Sequence, residues 1–189
     1  MGFIGMTYLH LTGALALTAV SSEYPLSTSP IVALIEFLVI LGIIFIIIPL
    51  KPGPYKYLLF ALFAILIGQT LAPVVDNFQA KGTLREVLFS VAGIFLAMTA
   101  VGFLDNQNIL KFESYLFAAL LGLIIARLVL SFFTDYKNTS LLNLAATVLF
   151  SIYVAYDTQV LKQKRSKDYV NASMGLFLDI INLFVSQDN

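Results

Sequence analysis

Seven stretches of this chain are each apolar for about the length that crosses a bilayer, and only short links separate them. They are Gly2–Val20, Ser29–Leu50, Tyr57–Val75, Glu86–Leu104, Ser114–Phe133, Thr139–Leu161 and Tyr169–Ser186. Spanning the ~30 Å hydrocarbon core takes about 20 helical residues. Backbone groups in lipid must satisfy one another, so long apolar runs of this kind fold as helices. The links hold most of the charges, together with breaks such as Lys51-Pro52-Gly53-Pro54, Lys81-Gly82 and Asp105-Asn106-Gln107-Asn108.

Composition supports this. Of 189 residues, 59% are hydrophobic and 12% charged, where a soluble domain carries about 25% charged residues. The expected fold class is all-α: a polytopic integral membrane protein, with residues 1–189 forming a single bundle of seven transmembrane helices. No link is long enough to divide the chain into domains. Net charge is zero, so no basic surface points to nucleic acid. The absence of cysteine excludes disulfides, thiolate metal sites and a cysteine nucleophile. Residues 1–20 lack a basic n-region, and the chain shows no Arg-rich transit peptide. The first segment is therefore expected to stay in the membrane as a helix.

With seven spans the links alternate between two sides. Lys51, Lys56, Lys111, Lys162, Lys164, Arg165 and Lys167 fall on one, and Lys81, Arg85 and Lys137 on the other. The richer side is expected to face the cytoplasm, or the matrix in a mitochondrion. The last segment is short enough that it either spans or re-enters. Small residues mark expected helix contacts: Gly93, Ala97, Ala100 and Gly102 in the fourth segment, Ala118, Ala119, Gly122 and Ala126 in the fifth, Ala145 and Ala146 in the sixth.

Acids inside apolar segments are costly unless paired, protonated or wet. Asp157 and Asp179 sit in the last two segments. Asp157 lies about 7–8 Å below Lys162, and Asp179 about 16 Å beyond Asp168. Both therefore occupy the half nearer the basic link, offset by several ångströms on spacing alone. They suggest a proton-linked or cation-linked site; the plainer reading for Asp157 is a helix end near the headgroups. Glu36 and Arg127 form a second constellation. Each lies about 9–10 Å in from the less basic side, so they could relieve each other's desolvation as a buried ion pair. Alternatively Arg127 snorkels to the headgroups or reaches Asp76. Gln69, Thr70 and Pro73 either line a cavity or serve packing. The lone histidine, His10, is poor evidence for a metal. Asp105, Glu113, Asp135 and Asp168 read as solvated or capping groups at helix ends.

Tyr156-Asp157-Thr158-Gln159, a basic link, and then Leu176-Phe177-Leu178-Asp179-Ile180-Ile181-Asn182-Leu183-Phe184 resemble the last two helices of the transmembrane Bax-inhibitor-motif family. Thr7-Tyr8-Leu9 with Thr12-Gly13, Pro52-Gly53-Pro54 and Ala72-Pro73 are most similar to its mitochondrial inner-membrane, growth-hormone-inducible branch. The resemblance implies that Asp157 and Asp179 are in direct contact, share a proton, sense pH and lie on a calcium path. Two carboxylates that share a site titrate as a unit. It also implies a role in suppressing cell death through organelle calcium. Some family members place a basic residue in the second helix as a latch for the sixth-helix aspartate. No Lys or Arg lies within that segment here, and Lys51 is the substitute nearest to it.

No Ser-His-Asp set, HExxH, P-loop or dinucleotide fingerprint is present, so no enzyme is expected. An intramembrane aspartyl protease would need a GxGD-like context that neither aspartate has. The expected function is a pH-sensitive calcium-permeable leak channel or proton-coupled calcium exchanger. Calcium and protons would be the transported ions, no cofactor is implied, and Asp157 and Asp179 would be the calcium ligands. Expected surroundings are the lipid bilayer of the endoplasmic reticulum or Golgi, the mitochondrial inner membrane or a bacterial inner membrane. Cell-death regulatory membrane proteins are possible partners. The alternative is a non-transporting membrane scaffold for cell-death or protein-quality-control partners.

Overall fold

The computed structural model of the protein describes residues 2–25, 29–104, 109–133, 140–163 and 167–188. Asp105, Asp135, Lys137, Lys164 and Arg165 lie outside them. Among the described residues there are seven α-helices and no strand: α1 Phe3–Ser22, α2 Pro30–Ile47, α3 Pro54–Ala80, α4 Leu84–Leu104, α5 Glu113–Phe133, α6 Ser140–Lys162 and α7 Tyr169–Val185. A short 3₁₀ turn, Ile109–Phe112, leads into α5. The all-helical expectation holds, with every apolar segment forming its own helix.

Helices α1, α3, α4, α5 and α6 are long and apolar enough to cross a membrane. The apolar stretches of α2 and α7, Ile31–Ile47 and Tyr169–Val185, are shorter, at about 26 Å each by helical rise.

Local chemistry sets the boundaries. Pro30 and Pro54 open α2 and α3, where a missing N–H costs nothing and φ is already helical. The third helix is longer than the predicted Tyr57–Val75 because it runs on through Pro73. One proline forfeits one ladder bond, and the helix continues past it to Ala80. The stop comes at Gly82, whose φ of 69° is left-handed. There the Lys81 and Gly82 amides bond back to the Asn77 and Gln79 carbonyls at 3.0 Å, closing α3 with a glycine cap. Asp168 opens α7: its Oδ1 accepts from the Val170 and Asn171 amides at 2.9 and 3.1 Å.

The helices group into two compact units, Met1–Gly82 with Ser166–Phe177, and Thr83–Arg165 with Leu178–Asn189. Helix α7 gives its first half to the first unit and its second half to the second.

In the first unit α1 packs closely along α3. Gly68 is the seat: a Cβ there would stand 2.5 Å from the Thr18 carbonyl oxygen and 2.8 Å from Ser21 Cβ. Thr18 and Ser21 donate across the seam to the Ala64 and Ile65 carbonyls at 2.9 and 2.8 Å. Gln69 Nε2 donates to the Ser21 carbonyl and hydroxyl at 2.9 and 2.6 Å. Of the two readings of Gln69, packing is the observed one. The rings of Phe60, Phe63 and Phe177 meet edge-on, with centroids 5.9–6.0 Å apart across α3 and α7.

In the second unit α4 packs along α6 with a matching seat at Gly102. A Cβ there would stand 2.6 Å from the Ala155 carbonyl oxygen and 2.7 Å from Thr158 Cβ. Gly93 and Gly122, also expected at helix contacts, have nothing within 4 Å of a built Cβ. They lie on exposed faces, where a small residue lets no backbone approach. Only 6% of the apolar window containing α5 is buried, against 39% for α6. That contrast makes α6 the centre of its unit and α5 its lipid-facing wall.

Candidate ion site

The second unit brings together the C-terminal half of α6 and the second half of α7. Val154, Ala155 and Thr158 of α6 are wholly buried. The Thr158 hydroxyl folds back onto the Val154 carbonyl at 2.6 Å, leaving an apolar face that the Gly102 seat admits. At the end of α6, Lys162 Nζ donates to the Phe103 carbonyl at 2.6 Å. This ties the helix to α4 and occupies the lysine nearest the acids in sequence.

Asp157 and Asp179 stand within this frame. Asp179 is 5% exposed, and its Oδ2 is buried with no hydrogen-bond partner. Every described residue of α7 is buried or half-buried. Asp157 is half-buried. Direct contact of the two carboxylates, which the family resemblance implies, remains an expectation. Asn182 shares the α7 face but turns its amide onto its own helix, donating to the Leu178 carbonyl at 2.8 Å.

Among the described residues no group of three or more His, Cys, Asp or Glu side chains could hold a metal ion. Calcium takes 6–8 oxygen ligands. Asp157 and Asp179 alone would supply a minority of them.

The other expected constellation divides between the units. Glu36 belongs to the first and Arg127 to the second, so their pairing remains an expectation. Within its own unit Arg127 donates through Nη2 to Asn143 Oδ1 at 3.1 Å. Asn143 Nδ2 in turn donates to the Asp188 backbone carbonyl at 2.5 Å.

Sequence reasoning missed one buried charge. Lys56, read as a link residue, has a side chain with no exposure. Its Nζ lies 2.5 Å from Asp168 Oδ2 and donates to the Leu50 carbonyl at 2.7 Å. Asp168 therefore caps α7 and pairs with Lys56 at once. Beside it His10 lies between the rings of Tyr57 and Tyr169, at 4.9 and 5.2 Å, with Nδ1 2.8 Å from the Met6 carbonyl. The histidine is packed against aromatic rings.

An all-helical chain with five helices long and apolar enough to cross a membrane has the build of a polytopic membrane protein. The chain belongs to the Bax inhibitor family: the family model described as inhibitor of apoptosis-promoting Bax1 matches residues 1–186. Protein lifeguard 4 of Mus musculus is 32% identical over 98% of this chain and 82% of its own length. Bax inhibitor 1 of Schizosaccharomyces pombe is 27% identical over 98% of this chain and 74% of its own. An uncharacterized membrane protein of Vibrio cholerae is 26% identical over 95% of this chain and 84% of its own. Relatives thus occur in bacteria and eukaryotes, in a membrane family not known for enzymes.

Proposed function

We propose that this chain is a pH-sensitive calcium-permeable leak channel or proton-coupled calcium exchanger, with Asp157 and Asp179 as its sensor and cation path. The observation that carries this reading is the buried, unpartnered Oδ2 of Asp179, in the helix that follows the one bearing Asp157. A structural protein gains nothing from leaving such a group unsatisfied, because an unmade bond costs about 1–3 kcal/mol or more. A site that binds and releases protons and cations requires it. Two acids that share a proton titrate together, and protonation competes with calcium for the same oxygens. In an organellar or bacterial membrane such a path would set resting calcium, and through it the threshold for cell death. Death-regulating membrane proteins would then act as partners upstream or downstream.

Calcium flux into liposomes, measured from about pH 5 to 8 where a coupled carboxylate titrates, tests the proposal. Asp157→Asn and Asp179→Asn should each flatten the pH dependence, and the double variant should add little to either. An unchanged profile in both single variants would place the sensor elsewhere. Partner binding that survives both changes in a chain that passes no calcium would favour a scaffold.

A further inference from the structure

A cavity of about 450 Å³ opens in the second unit, lined by Glu113, Ser114, Leu116 and Phe117 from α5 and by Tyr153 and Tyr156 from α6. It has room for roughly ten or more waters, enough for an ion with its hydration shell. Glu113 and Ser114 are exposed at its rim, and Tyr153 and Tyr156 are half-buried on its wall. Tyr156 precedes Asp157 directly, and Tyr153 lies about one turn before it on the same helix.

The chemistry of the lining selects the occupant. No basic side chain lines the cavity, and Lys162 is engaged with the Phe103 carbonyl. The one formal charge on the lining is negative. Phenol rings present π faces to cations and hydroxyl oxygens to their water. A cleft with charge of one sign and low-dielectric walls concentrates counter-ions.

We propose that this cavity is an outer collecting site for hydrated divalent cations, with Glu113 as its rim carboxylate and Tyr153 and Tyr156 as the wall that passes the ion towards Asp157 and Asp179. The ion's destination rests on the leak reading above; binding at the rim does not. Glu113 also stands in the first turn of α5, where a carboxylate favours the helix dipole. That role alone would leave cation binding untouched.

The test uses terbium(III) as a calcium surrogate on the full chain in phosphatidylcholine nanodiscs. The chain has no tryptophan, so its tyrosines are the main sensitisers of terbium emission. Wild type should give emission that calcium displaces. Glu113→Gln should raise the half-saturating terbium concentration about tenfold at low ionic strength, with the difference narrowing as salt is added. Glu113→Asp should restore most of it. Tyr153→Phe/Tyr156→Phe should remove most of the emission. In the flux assay Glu113→Gln should slow initial calcium entry and leave the pH midpoint in place. Asp157→Asn/Asp179→Asn should keep the Glu113-dependent emission while losing the pH response. A terbium titration that Glu113→Gln does not move overturns the outer site. So does emission that vanishes with the two aspartates, since it would then belong to the inner pair. Glu113-dependent emission in a chain that passes no calcium would uphold the outer site and sink the leak reading.

Discussion

The two units treat buried polar groups in opposite ways. In the first, Lys56 meets Asp168 and the Leu50 carbonyl, Ser173 donates to the Thr7 carbonyl at 2.6 Å, and Thr18, Ser21 and Gln69 stitch α1 to α3. Asn171 is the partial exception: its Nδ2 reaches the Ile48 carbonyl while its Oδ1 has no partner. Among the described residues of the second unit, Asp179 Oδ2, Thr99 Oγ1 and Arg127 Nε have no hydrogen-bond partner, and one of the three belongs to a carboxylate. A satisfied network rigidifies, and a half-satisfied one is costly unless something else uses it. On the proposed function, the first unit would be the scaffold and the second the part that handles ions.

The largest effect that could break this contrast is at Lys56. Lys56→Met removes one partner of a buried pair and strands Asp168. It should cost about 3 kcal/mol, the lower end for buried pairs, because Asp168 keeps 18% side-chain exposure. Lys56→Met/Asp168→Asn should recover part of that loss, since asparagine still caps α7 and no charge is stranded. Thermal unfolding of the purified protein measures both. Equal losses in the single and double variants would mean that the pair is not what holds this end together.

Next come the two glycine seats. Gly68→Ala and Gly102→Ala each drive a methyl into a backbone carbonyl, which cannot step aside as a flexible side chain would. Each should cost about 1–3 kcal/mol. The contrast predicts a difference beyond stability. Gly68→Ala should lower thermal stability and leave the pH profile of calcium flux in place. Gly102→Ala pushes on Ala155 and Thr158, which flank Asp157, and should shift that profile. Identical flux profiles for the two would dissolve the distinction between the units.

The helices were legible in the sequence because lipid thickness imposes a length and helical rise converts it to residues. The acidic pair was legible because aspartate in an apolar run is expensive. Lys56 was not, because a lysine beside Pro54 reads as a solvated link and its partner is 112 positions away. Gly68 was passed over while Gly93 and Gly122 were chosen. A small residue matters only on a buried face, and near-uniform hydrophobicity hides which face that is. Glu113 looked like an ordinary helix-end acid until the fold set Tyr153 and Tyr156 around the same space.

A smaller effect is expected at Ser21. Its hydroxyl donates to the Ile65 carbonyl and accepts from Gln69. Ser21→Ala removes both bonds but leaves Gln69 its bond to the Ser21 carbonyl. A loss of about 1 kcal/mol in thermal stability, with unchanged calcium flux, is what a purely structural seam should show.

The smallest stability effect should come from the residue with the largest functional one. Asp179→Asn keeps the shape of the side chain and removes an ionisable group that finds no hydrogen-bond partner for Oδ2. If the group served the fold, its removal would cost what a buried polar contact costs. If it serves ions, neutralising it relieves a desolvation penalty, offset by the new amide donor that the pocket must accommodate. The two terms oppose each other, so stability should change by no more than about 1 kcal/mol in either direction, while the pH dependence of calcium flux flattens. Thermal unfolding and flux on the same preparation decide it. A large loss of stability with the pH profile intact would move Asp179 from the ion path into the scaffold, and the contrast between the two units would go with it.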